Sequence, residues 1–66
     1  MSVARVTEIS SRSETSFDDA IRQGVERANT TLRNVTSAWV KEMRVDVGDG
    51  GITGYQVNLL ITFVLE

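Results

Sequence analysis

The residues best equipped for chemistry in this chain are a single tryptophan, Trp39, and a few polar side chains on two neighbouring predicted strands. Trp39 offers a flat ring on which a planar ligand can stack, and the amide of Gln56 both donates and accepts hydrogen bonds. Arg44 carries a guanidinium group suited to phosphate. These residue types predict non-covalent binding of a planar heterocycle. In the alternative interpretation, Trp39 fills a contact between subunits.

The composition argues against catalysis. The 66 residues include no histidine and no cysteine, so the usual general base and the thiol nucleophile are both absent. Serines are numerous, but the sequence offers no residue to activate one of them. We therefore expect a binding protein and no enzyme.

Acidic residues in and after the second predicted strand suggest a second function. Carboxylate oxygens are the ligands that hard cations such as calcium prefer, and Glu42, Asp46 and Asp49 supply them. Such side chains are more often solvated or paired with a base. A shell that binds a divalent cation in place of a planar ligand is therefore the alternative hypothesis, with Glu42 and Asp46 as candidate ligands.

The pattern of apolar residues predicts the order β-α-β-β. We expect strands over residues 3–9, 36–47 and 54–66, a polar loop over 10–15, and an amphipathic helix over 17–35 that is capped by Ser16. The Gly-Asp-Gly-Gly run at 48–51 predicts a hairpin turn and not a phosphate-binding loop. The fold class is α+β, a three-stranded antiparallel sheet wrapped on one helix, in a single domain over residues 1–66.

The last predicted strand carries too much apolar surface for a chain of this size to cover. Its odd-numbered positions are all apolar: Tyr55, Val57, Leu59, Ile61, Phe63 and Leu65. Its even-numbered positions carry no charge before Glu66, although strands that face water on one side normally show a clearly polar face. One helix covers one face of a sheet, so we expect the other face to be an interface.

Strict alternation along the second strand predicts which residues share a face. One face takes Ser37, Trp39, Lys41, Met43, Val45 and Val47, and the other takes Ala38, Val40, Glu42, Arg44 and Asp46. We expect Ala38 and Val40 to face the helix. Trp39 then lies on the uncovered face, beside Gln56.

Length and charge favour self-assembly over other partners. A 66-residue chain without disulfides has a marginal core, and oligomerisation is the usual remedy. The net charge of −2 predicts no nucleic-acid partner, and no apolar run reaches the ~18 residues of a membrane span. We expect a cytoplasmic protein that does not bind membranes.

Taken together, the segments RVTEI, TTLRNV, WVKEMRV and YQVNLLITFVLE resemble the dodecin family over essentially the whole chain. The resemblance implies a hollow, spherical homododecamer. It also implies binding of riboflavin, FMN or FAD in symmetric pairs near two-fold interfaces, with each ring sandwiched between tryptophans. Dodecins that bind flavin are regarded as storage proteins that quench flavin photochemistry.

The resemblance extends unevenly to single residues. The family's flavin-contacting glutamine corresponds to Gln56 after Tyr55, and a bacterial arginine that meets a flavin or coenzyme A phosphate corresponds to Arg44. The position of the stacking tryptophan is taken by Ser37, and Trp39 comes two residues later on the same face. The predicted flavin site is therefore Trp39, Gln56, Ser37 and Arg44. Alternatively, the chain resembles members that lack this tryptophan, some of which bind calcium, and Trp39 packs at an interface.

Overall fold

The computed structural model describes residues 3–65, which form one antiparallel sheet and one helix. The elements are β1 (Val3–Ser13), α1 (Phe17–Thr31), β2 (Val35–Gly48) and β3 (Gly51–Leu65). The strand order β1-β3-β2 places the most apolar strand in the centre of the sheet. The predicted α+β class and β-α-β-β order are confirmed, while Glu66, the predicted last residue of the third strand, lies outside the described residues.

Three predicted boundaries are wrong. The residues predicted as a polar loop continue β1 as far as Ser13, which pairs with Tyr55. The helix ends at Thr31 and not at Val35, because Leu32 is already extended and Asn34 turns the chain at φ +61°. β3 begins at Gly51, because the strands continue to pair up to the tight turn.

The core lies where the helix crosses the central strand. Val57, Leu59 and Ile61 are fully buried, and they belong to the odd-numbered row predicted to face the helix. On α1 the buried residues are Ala20, Gly24 and Ala28, one turn apart along one stripe. Small residues on this stripe let the helix approach the sheet closely.

Gly24 marks the closest approach between α1 and the sheet. A Cβ atom at this position would lie 2.8 Å from Leu59 Cδ1 and 3.1 Å from Ser11 Cβ. The first distance is shorter than any normal carbon–carbon contact, and Leu59 is fully buried, so its side chain would have to shift within a closely packed core. Only glycine therefore fits at this position without a shift of its neighbours, although glycine lowers the stability of a helix.

We expect Gly24→Val to lower the free energy of unfolding by about 1–3 kcal/mol, because the side chain overpacks this contact. Chemical denaturation of the two proteins measures the difference. Asn29→Val is the matched control, since it places the same β-branched residue on the exposed side of the helix. Equal stability of Gly24→Val and Asn29→Val would contradict the close approach.

A hydrogen-bonded cluster fixes the start of the helix. The Ser16 hydroxyl accepts from the Asp19 backbone N–H at 3.0 Å, as the predicted cap requires. The Asp19 carboxylate accepts from the Ser13 hydroxyl and from Gln23 Nε2, both at 2.6 Å, and also from the Arg22 guanidinium. The Ser13 hydrogen bond is the main cause that lowers the pKa of Asp19, and Gln23 and Arg22 act in the same direction.

The lowered pKa of Asp19 makes stability depend on pH in the acid range. Its contribution is present above the ordinary value of 3.8 and is lost as the pH falls through the lower pKa of the folded state. We expect Asp19→Asn to remove part of the acid-induced loss of stability, as measured by urea midpoints across this range. Asp18→Asn removes a carboxylate from the same helical turn and is the control. Identical pH profiles for the two variants would refute the role of the cluster.

The hairpin between β2 and β3 is the one that the glycine-rich run predicts. Gly48 and Gly51 pair, and the two turn residues Asp49 and Gly50 have φ angles of +23° and +86°. Positive φ at both central residues matches the twist of the strands, and Asp-Gly is a preferred sequence for it.

Beyond the helix, the hairpin carries uncovered apolar side chains. A 15-residue helix spans about 22 Å, whereas strands of 14 and 15 residues reach about 45–50 Å. One chain therefore exposes large apolar residues at the far end of the hairpin, namely Met43, Val45, Val47 and Ile52.

Candidate functional site

An irregularity in β2 decides which side chains share a face with Trp39. The register sets the following pairs opposite each other: Val40 and Leu59, Glu42 and Asn58, Met43 and Val57, Arg44 and Gln56. Lys41 is thus an extra residue on β2, as in a β-bulge, and the alternation changes after it. Met43, predicted to lie beside Trp39, pairs on the helix side, while Glu42 and Arg44, predicted on the helix side, pair on the face of Trp39. Both predictions are wrong for this reason.

We call the sheet surface turned away from α1 the outer face. Its central rungs combine residues of all three strands: Glu8, Leu60 and Trp39; Ser10, Asn58 and Glu42; Arg12, Gln56 and Arg44. We call the end with Trp39 and Leu60 the apolar end, although it also carries Glu8, and the end with Arg12, Gln56 and Arg44 the polar end. A ligand with a planar apolar body and a polar edge matches such a gradient.

Trp39 forms the apolar end of the outer face. It is 70% exposed and pairs with the half-buried Leu60. Ser37 pairs with Thr62 one rung further along, so it also lies on this face. The ring of Trp39 is accessible as a stacking surface in the single chain.

Gln56 lies at the polar end and is held from both sides. Its Oε1 accepts from Arg44 Nη2 at 3.0 Å, and its Nε2 donates to Ser10 Oγ at 2.9 Å. Trp39 pairs with Leu60, which lies four positions from Gln56 on β3, or about 13 Å along the strand. All four predicted site residues therefore share the outer face, and Arg44 and Gln56 are joined by a hydrogen bond.

Asp46 links two arginines next to Gln56. Its carboxylate accepts from Arg12 Nε at 2.9 Å and lies 3.5 Å from Arg44 Nε. The hydrogen bond from Arg12 is the main cause that lowers the pKa of Asp46, and the charge of Arg44 adds to it. These contacts orient the Arg44 guanidinium toward Gln56.

The candidate metal ligands Glu42, Asp46 and Asp49 do not come together in one site. Glu42 accepts from Asn58 Nδ2 at 3.3 Å, and Asp49 lies in the turn at the tip of the hairpin. Within residues 3–65, no group of three or more acidic side chains comes together as a metal site would require. Cation binding through Glu42 or Asp46 stays a prediction that needs carboxylates from another chain.

A shallow depression of about 390 Å³ occupies the middle of this region. It is lined by Glu42, Arg44, Gln56 and Asn58 of the outer face and by Met43, which lies between Glu42 and Arg44 along β2. Three polar residues in or next to this depression were not predicted as site residues, namely Ser10, Arg12 and Asn58. Ser10 and Arg12 lie in the segment that was predicted as a loop, and its run of serines and arginine carries no local signal that the strand continues.

Among the described residues, no helix has the length and apolar character needed to cross a membrane.

Comparison with known proteins gives matches along the whole chain. The family model described as Dodecin matches residues 3–66. A dodecin from Thermus thermophilus is 38% identical over 64 residues, which cover 97% of this chain and 93% of that protein.

Solved structures agree with the sequence comparison. The dodecin of Streptomyces coelicolor superposes with a TM-score of 0.92 at 37% identity, covering 98% of this chain and 93% of its own. The dodecin of Streptomyces davaonensis gives 0.92 at 38% identity, covering 98% and 96%. A Trp-to-Phe mutant of the Thermus thermophilus protein gives 0.92 at 36% identity, covering 100% and 98%.

Proposed function

Because this chain belongs to the dodecin family, we propose that it binds a flavin non-covalently on the outer face and stores it without transforming it. The observation that carries the proposal is the exposed ring of Trp39, which lies on the same face as the Gln56 amide. An aromatic surface beside convergent polar groups is the usual composition of a site for a planar cofactor.

The residues present fit a flavin in chemical type. A bound flavin supplies a planar aromatic ring with hydrogen-bonding groups along one edge. Trp39 can stack on that ring, and Gln56 keeps one N–H and one carbonyl lone pair after its bonds to Ser10 and Arg44. Ser37 and Arg44 flank the two ends of the face, where Arg44 can meet the phosphate of FMN or FAD.

Assembly is part of this proposal. We propose a homododecamer, in which neighbouring copies cover the exposed apolar side chains at the far end of the hairpin and bring a second Trp39 ring to the outer face. The apolar side chains that α1 leaves uncovered support it, because exposed apolar patches of this kind mark interfaces. Twelve chains of 7.3 kDa give a particle of about 88 kDa, which light scattering measures. A stable monomer in solution would rule out the assembly.

Titration of riboflavin with the purified protein, followed by flavin fluorescence, tests the ligand. We expect saturable quenching near one flavin per chain, because stacking on Trp39 brings the excited ring against an indole. Absence of quenching at micromolar protein would overturn the flavin proposal. A colourless protein whose thermal stability rises with calcium would support the cation hypothesis in its place.

A further inference from the structure

A continuous chain of hydrogen bonds crosses the outer face between its polar residues. Arg44 Nη2 donates to Gln56 Oε1 at 3.0 Å, and Gln56 Nε2 donates to Ser10 Oγ at 2.9 Å. Ser10 Oγ donates to Asn58 Oδ1 at 3.1 Å, and Asn58 Nδ2 donates to Glu42 Oε1 at 3.3 Å. These hydrogen bonds therefore run from β2 through β3 to β1, and from there back through β3 to β2.

The residues at the two ends of this series of hydrogen bonds, Arg44 and Glu42, fix the direction in which each bond is donated. A guanidinium group only donates hydrogen bonds, and an ionised carboxylate only accepts them. The oxygen of Gln56 must therefore face Arg44, and the nitrogen of Asn58 must face Glu42. Ser10 has the one hydroxyl that can accept from the first amide and donate to the second. Neither amide can turn over without losing a bond.

We propose that Ser10, Asn58 and Glu42 are positioning residues that lock the orientation of the Gln56 amide for its ligand. The locked amide presents a carbonyl lone pair on the Arg44 side and its remaining N–H on the Ser10 side. It thereby selects planar ligands whose edge carries a donor next to an acceptor, as in a cyclic amide or imide. The choice of a flavin as this ligand rests on the function proposed above.

The lock matters most when a ligand covers the face. In the single chain these bonds are exposed, so water competes for each partner. A ring that lies over Asn58 and Gln56 displaces this water, and an amide in the wrong orientation then leaves a donor and an acceptor unpaired. Fixing the orientation in advance removes this cost from binding.

Riboflavin titrations of four variants test the lock. Ser10→Ala removes both hydrogen bonds of this hydroxyl, and we expect it to raise the dissociation constant by at least about three- to tenfold, the range for losing a single hydrogen bond between neutral groups. Ser10→Thr keeps the hydroxyl and should restore affinity close to the parent value. Glu42→Gln should also weaken binding several-fold, because an amide at this end accepts or donates equally well.

Glu8→Gln is the matched control for Glu42→Gln. It removes the same charge from the same face, but Glu8 pairs with Lys41 at 3.2 Å and lies outside the chain of hydrogen bonds. We expect its affinity to equal that of the parent. Equal weakening by Glu8→Gln and Glu42→Gln would mean that charge alone acts and would overturn the lock.

A readout without flavin separates this inference from the proposed function. In nitrogen-15 spectra, the two Gln56 side-chain amide protons should be well separated in the parent, with one slowed in solvent exchange, and should converge in Ser10→Ala and Glu42→Gln. A parent that binds no riboflavin would refute the flavin site, whereas these resonances would still decide the lock. Unchanged Gln56 resonances in both variants would refute the lock even if riboflavin binds.

Discussion

Replacing Trp39 with alanine is expected to weaken riboflavin binding by about 5- to 150-fold. Stacking of a heterocyclic base on an aromatic side chain contributes about 1–3 kcal/mol, and 1.4 kcal/mol corresponds to a factor of ten. Trp39→Phe keeps a smaller ring and should give an intermediate affinity. Flavin fluorescence titration measures all three proteins at the same temperature and buffer.

The controls for Trp39 separate stacking from assembly. Val6→Ala removes a similarly exposed apolar side chain from the outer face of β1, where it pairs with Thr62, and should leave affinity unchanged. Light scattering of Trp39→Ala should still show the parent's mass. A smaller particle would favour the interpretation in which Trp39 fills a subunit contact, and an unchanged affinity at unchanged mass would remove Trp39 from the site.

Replacing Leu59 with alanine is expected to lower the free energy of unfolding by about 2–5 kcal/mol. Leu59 is fully buried on the central strand and fills the contact at Gly24, so its removal costs transfer free energy and leaves a cavity. Urea denaturation at one fixed protein concentration measures the loss, since assembly makes stability depend on concentration.

Val47→Ala is the comparison for Leu59→Ala. Val47 is 72% exposed in the single chain, so its truncation removes few contacts within that chain. A loss for Leu59→Ala no larger than that for Val47→Ala would mean that the contact between α1 and β3 does not form the core. A large loss for Val47→Ala alone would place the hairpin in a subunit interface.

Local features of this protein could be predicted from the sequence, because neighbouring residues cause them. Ser16 caps the helix through an N–H three residues away, and Asp49-Gly50 forms the tight turn through its own backbone preference. The apolar row of β3 needed only a period of two to be assigned to the core. The whole-chain resemblance to dodecins gave the family, and the comparisons confirm it.

The arrangement of the site was decided by contacts between distant parts of the chain. No local signal places the bulge at Lys41, because its position depends on how β2 pairs with β3, yet it moves Glu42 and Arg44 to the outer face. Ser10 belongs to a segment of low strand propensity that pairs because Asn58 lies opposite it. The sequence alone therefore determined the elements, the core row and the residue types for binding. Only the tertiary structure decided which side chains meet, because strand register is set by pairing across the sheet and one extra residue reverses every face beyond it.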